Sequence, residues 1–135
     1  MLTPHVGEMA RLTGESHEAI EARRIDAALE WSARWGCVVV LKGAPTITAS
    51  PDGRATVNPT GNPGMATAGM GDVLAGAITA LLGQGLAPHD AAAVGVFAHG
   101  LAGDLAASEQ GATGIVAGDV AARLPRALQA VRDAR

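Results

Sequence analysis

Tyrosine is absent from this 135-residue chain, and Trp31, Trp35 and Phe97 are its only aromatic residues. The 48% of hydrophobic residues is mostly alanine, valine and leucine, so any core must be built from small side chains. Positive charge is also scarce: ten Lys and Arg against thirteen Asp and Glu leave a net charge of -3. That balance argues against a phosphate-backbone binder, and no nucleic-acid partner is expected. The single cysteine, Cys37, has no internal disulfide partner and lies in an apolar run. It reads as a small buried hydrophobe in a reducing compartment. No segment combines a charged start, an apolar centre and a small-residue cleavage site, and none reaches the ~18 apolar residues of a bilayer span. A cytoplasmic protein without a membrane partner is expected. The length suits one domain at most, and there is no repeat or low-complexity tract.

What the chain has in quantity is glycine, 18 residues in all, concentrated in one stretch. Asn58 to Gly76 reads NPTGNPGMATAGMGDVLAG. Pro59 and Pro63 forbid helix through its first half. From Asp72 onward, Val73, Leu74, Ala77, Ile78, Leu81 and Leu82 mark one face of an amphipathic helix. Gly69 to Asp72 therefore sits where a loop becomes a helix, where the first amides lack intrahelical partners and the macrodipole favours an anion such as phosphate. Gly71 is expected at positive φ, in close approach to the ligand. Asp72, the only charged side chain of the stretch, could simply cap the helix. The bunched glycines favour a carboxylate that meets a bound phosphate.

Elsewhere the pattern is α/β. Ser16 is placed to cap a helix running to about Trp35 and closed by Gly36, with Ile20, Ala27, Trp31 and Trp35 on its buried face. Arg23, Arg24, Asp26, Glu30 and Arg34 read as its solvated surface. Cys37 to Leu41, CVVVL, is a strand buried on both faces, which points to a parallel sheet covered by helices. Lys42 ends that strand, and the carboxyl ends of strands in open α/β sheets are where ligands bind, so Lys42 and Gly43 suit a phosphate or nucleotide. Thr46 to Ala49 and Arg54 to Val57 flank the turn signal SPDG and form a hairpin. Pro88 opens a helix to about Ser108, on which His99 reads as a hydrogen-bonded core residue. Asp119 reads as the N-cap of a last helix that Pro125 would distort.

Three motifs carry a family resemblance. NPTGNPGMATAGMGD resembles the anion-hole motif of the ribokinase-like superfamily, in the version found in NAD(P)H-hydrate dehydratases, with Ala68 and Gly69 where that family usually has two glycines. LTPHVGE, residues 2 to 8, is similar to the TPHxGE motif of the same dehydratases. LKGAPT, residues 41 to 46, resembles their KGAxT nucleotide segment. The resemblance runs along essentially the whole chain and corresponds to the C-terminal half of the family's domain.

It implies a partial ribokinase-like three-layer αβα fold and a hydro-lyase that repairs hydrated NADH and NADPH at the expense of ADP or ATP, with Mg2+ bridging the phosphates. It implies Asp72 as catalytic base, in contact with substrate, and His5 against the hydrated nicotinamide. Lys42, Gly43, Ala44, Pro45 and Thr46, with the amides of Gly69, Met70 and Gly71, would bind nucleotide; no metal-ligand cluster is visible. A ribokinase-like small-molecule kinase and an inactive nucleotide-binding fragment are the alternatives. The expected partners are an NAD(P)H-hydrate epimerase, fused or separate, and either further copies of the chain or the missing N-terminal half.

Overall fold

In the computed structural model, which describes residues 1–134, the CVVVL run supplies strand β1 (Val39–Leu41), every residue of it buried. β1 pairs antiparallel with β2 (Ile47–Ala49), and β2 pairs antiparallel with β3 (Ala55–Val57). The expected hairpin is therefore present. Its turn follows the sequence: Pro51 and Asp52 occupy the corner, Gly53 adopts φ 86, and the Gly53 amide donates to the Ser50 carbonyl at 3.0 Å. On its other side β1 and the residue after it make parallel bridges, Val39 with Leu2 and Lys42 with His5. The parallel partner expected of β1 is thus the Leu2 to His5 segment, while its other neighbour is the antiparallel hairpin.

The described residues fall into two units, one of residues 1–58 with 87–93 and one of residues 59–86 with those from Val94 onward. In the first, helices α1 (Val6–Thr13), α2 (His17–Ala22) and α3 (Arg24–Trp35) cover the sheet. Val6, Met9, Ile20, Ala27, Ala28, Val39, Leu41, Ile47 and Ala49 form its core, with Trp31 and Trp35 packed against it. The helix expected to run unbroken from Ser16 is divided at Arg23, whose φ of -140° and ψ of 41° are not helical. Neither glycine nor proline marks this break. The Arg23 guanidinium instead ties Glu15 to Glu30 across the bend.

The second unit holds α4 (Met70–Gly83), most of α5 (Pro88–Gln110) and α6 (Ala117–Asp133). Its core is Met70, Ala98, Ala102, Ala106, Ile115, Val120 and Ala127, an alanine-rich interior of the kind the composition requires. One expectation needs correction here. The N-cap of α6 is Val116, not Asp119; Asp119 stands three residues in and accepts a hydrogen bond from the Val116 amide at 3.0 Å, the returning half of a capping box. Pro125 lies inside α6. A second concerns α5, which is long and apolar enough by length and composition to cross a bilayer. Of its most apolar 18-residue window, 56% is buried inside the chain, as in the core helix of a folded domain.

Candidate functional site

His5 caps α1. Its Nδ1 accepts the Glu8 amide at 3.1 Å, and the Glu8 carboxylate returns to the His5 amide at 2.7 Å. That reciprocal box consumes Nδ1 and leaves Nε2 toward the carboxylate, 3.4 Å from Glu8 Oε1. Lys42 lies on the neighbouring strand end, bridged in parallel to His5, with Nζ 3.5 Å from Glu8. The structure therefore brings together His5 and Lys42, drawn from two separate motifs, and adds Glu8 between them. The His5 amide, and less strongly the Lys42 charge, holds the Glu8 carboxyl below its ordinary range.

The loop after Lys42 is shaped from within. Thr46 Oγ1 donates to the Gly43 carbonyl at 3.0 Å, and Ala44 and Pro45 are exposed, joined by a cis peptide bond. Arg24, expected on a solvated surface, donates to the carbonyls of Leu41, Lys42 and Pro45 at 3.3, 3.3 and 2.9 Å. A β-carbon at Gly43 would collide with that guanidinium. Glycine here makes room for Arg24, a reason the sequence pattern could not supply.

In the second unit, Gly69 is the N-cap of α4 at φ 84, and Met70, Gly71 and Asp72 are its first three residues. The positive φ expected at Gly71 belongs to Gly69; Gly71 is in the right-handed helix. The amides of Gly69, Met70 and Gly71 donate to no acceptor among the described residues, whereas the Asp72 amide already reaches the Gly69 carbonyl at 3.1 Å. Asp72 is exposed, stands at the third helical position rather than at the cap, and its carboxylate has no hydrogen bond or ion pair among the described residues. The Met70 side chain points the other way, into the core.

The face of α5 that carries His99, Gly100, Gly103 and Asp104 holds the glycine loop. Asp104 accepts the Gly61 amide and the Asn62 side-chain amide, both at 2.9 Å. β-Carbons at Gly100 and Gly103 would strike Thr60 and Met65. Sequence reasoning assigned Asp104 no task; the spacing of two glycines and an aspartate on one helical face was the available signal. Asp104→Ala should unpair both donors. It is expected to cost about 1–3 kcal/mol in local opening of the loop, read as faster hydrogen exchange at Gly61 with little change in the α6 core.

The NAD(P)H-hydrate dehydratase family matches residues 1–126. The chain is 57% identical over 133 residues to the bifunctional NAD(P)H-hydrate repair enzyme Nnr of Thermofilum pendens, a match that covers 98% of this chain and 25% of that protein. It is 46% identical over 122 residues to the ADP-dependent (S)-NAD(P)H-hydrate dehydratase of Neisseria meningitidis, covering 90% and 41%. Among solved structures, the ADP/ATP-dependent NAD(P)H-hydrate dehydratase of Bacillus subtilis, co-crystallized with ATP and Mg2+, superposes with a TM-score of 0.91 at 37% identity, over 96% of this chain and 47% of that one. The chain has the ribokinase-like α/β fold of that structure over the part it covers, and spans less than half the length of each of these relatives.

Proposed function

The chain belongs to the NAD(P)H-hydrate dehydratase family, and from that membership we propose that residues 1–135 are the C-terminal portion of one dehydratase domain that repairs hydrated NADH and NADPH in the cytoplasm. The observation that carries this reading is the start of α4, where three unused amides and an unpartnered carboxylate occur within four residues.

A ring hydroxyl is a poor leaving group, and phosphorylation converts it to one that departs as phosphate. Asp72 takes the hydroxyl proton as general base. The amides of Gly69, Met70 and Gly71 meet the charge that develops on the transferring phosphoryl group, and a preorganised donor of this kind contributes about 3 kcal/mol. Lys42 to Thr46 hold the nucleotide, and His5 lies against the hydrated nicotinamide. ADP or ATP supplies the phosphoryl group. Among the described residues no three His, Cys, Asp or Glu gather into a metal cage. Mg2+ would supply charge neutralisation at the transferring phosphoryl group. An NAD(P)H-hydrate epimerase acts with the domain, fused or as a separate protein.

The deciding assay supplies hydrated NADH, ADP or ATP and Mg2+, and follows reduced-nicotinamide absorbance beside phosphoester. Recovery of absorbance is expected. Accumulating phosphoester would instead mark a small-molecule kinase. Binding without turnover would favour an inactive nucleotide-binding fragment, a reading supported by the short coverage of the relatives.

The sheet bears on that last point. β1 has no open backbone edge on this side, because Leu2 to His5 covers it. The open edge moves to that segment: Leu2 and Pro4 spend their carbonyls on Val40 and Lys42, which turns the Thr3 amide and carbonyl outward. Beside it, Leu2 and Leu12 are 39% and 55% exposed and help line a groove of about 360 Å³. A partly apolar strand edge of this kind recruits another chain. The isolated 135-residue chain is therefore expected to self-associate, or to bind a separately supplied N-terminal half, with slowed exchange at Thr3. Sedimentation showing a monodisperse monomer that gains no Thr3 protection from the N-terminal half would exclude both arrangements.

A further inference from the structure

Arg24 is the first residue of α3, at the end of a helix where the macrodipole disfavours a cation. Its side chain is nonetheless only 12% exposed, and its Nε is buried without a partner among the described residues. Helix stability gives no reason for a guanidinium there. The reason lies in the loop it reaches. Nη1 donates to both oxygens of Glu21, at 3.0 and 3.1 Å, which anchors one arm of the fork. Nη2, the other arm, donates to the carbonyls of Leu41, Lys42 and Pro45.

Three of the five carbonyls of residues 41 to 45 thus converge on one permanent positive charge. The Gly43 carbonyl is held separately, by Thr46 Oγ1. A carbonyl oxygen carries partial negative charge, so each one turned toward a bound polyanion would repel it, whereas one turned toward Arg24 would not. The loop sits tightly on its support: a β-carbon at Gly43 would lie 2.4 Å from Nη2. The bonds at Leu41 and Lys42 also fix the stretch of backbone from which the Lys42 side chain departs.

We propose that Arg24 is a positioning residue for nucleotide binding, which gathers the carbonyls of residues 41 to 45 on its own side and so keeps Lys42 and the outer face of the loop set for an anionic ligand. This rests on the reading of residues 42 to 46 as the nucleotide segment. Arg24 itself touches no nucleotide.

The test titrates the 135-residue chain with ADP and Mg2+. Arg24→Gln removes the cation and its reach; if the loop then holds its binding shape about one-tenth of the time, affinity falls about tenfold by population alone. Arg24→Lys keeps the charge but cannot serve Glu21 and three carbonyls from one ammonium, so a loss of about threefold is expected. The same loosening should appear without ligand, as faster hydrogen exchange at the Gly43 amide, which donates to Thr46 Oγ1, with the Val40 amide, bonded to Leu2, unchanged. Thermal unfolding, measured alongside, identifies variants that fail to fold; if Arg24→Gln does not fold, Arg24→Lys decides. A merely structural Arg24 would lower the unfolding midpoint and leave the ADP affinity of the folded variants at the parent's value, and that result overturns the proposal. Lys42→Ala separates the proposal from the reading beneath it. If Lys42→Ala and both Arg24 variants bind ADP as the parent does, or the parent does not bind it, the nucleotide reading has failed and the proposal falls with it. A marked Lys42→Ala loss beside parent-like affinity in both Arg24 variants removes the proposal alone.

Discussion

Asp72→Asn in the complete domain is expected to lower turnover of hydrated NADH by a factor on the order of 10² to 10⁴, with nucleotide affinity held within a few fold. The structure sharpens why the two quantities should separate. Asp72 is not the N-cap of α4; Gly69 is, and the Asp72 carboxylate is bonded to nothing among the described residues. Replacing it with an isosteric amide therefore breaks no contact within the chain and leaves the amides of Gly69, Met70 and Gly71 where they are. What is lost is a proton acceptor, together with about 0.3–1 kcal/mol of favourable charge at a helix start. Steady-state rates set beside calorimetric ADP affinities check this. Normal turnover in the Asn variant would return Asp72 to a minor electrostatic role, and a parallel fall in affinity and rate would mean that the carboxylate holds ligand rather than moving a proton.

The parts of the molecule that local pattern encodes could be read from the sequence. The switch at Gly69 to Asp72 needs only proline, glycine and a helical period, and the turn at Ser50 to Arg54 needs only Pro51 and Gly53. The parts that escaped depend on partners far along the chain. Arg24 looks like any solvated helix charge until Leu41, Lys42 and Pro45 present their carbonyls to it 17 to 21 residues later. Asp104 answers to Gly61 and Asn62 over separations of 43 and 42 residues. The break at Arg23 carries neither glycine nor proline, and the guanidinium that spans it pairs with Glu15 and Glu30 on either side. His99 was legible as a buried histidine, since its apolar face is helical in period.

Gly71→Val is expected to weaken binding of ADP and Mg2+ by about 10²-fold or more, the scale of losing one preorganised donor, while the chain still folds. From sequence this substitution promised to mix two effects, because Gly71 was placed at positive φ. The structure separates them. The left-handed residue is Gly69, at φ 84, where a β-carbon would also lie 3.0 Å from that of Ala117, so valine at position 69 would strain the backbone whether or not anything binds there. Gly71 is the second residue of a right-handed helix, a conformation valine adopts, and glycine is the poorer helix former by a few tenths of a kcal/mol. The backbone therefore gives no reason for Gly71→Val to lower the unfolding midpoint. What changes is that an isopropyl group now stands two bonds from the free amide nitrogen, in the approach a phosphate oxygen must use to reach it. Calorimetric titration on folded protein, with the unfolding midpoint measured alongside, reads both quantities. Undiminished affinity at an unchanged midpoint would show that phosphate does not meet the amides of this turn, and the anion-site reading of residues 69 to 72 would have to be given up.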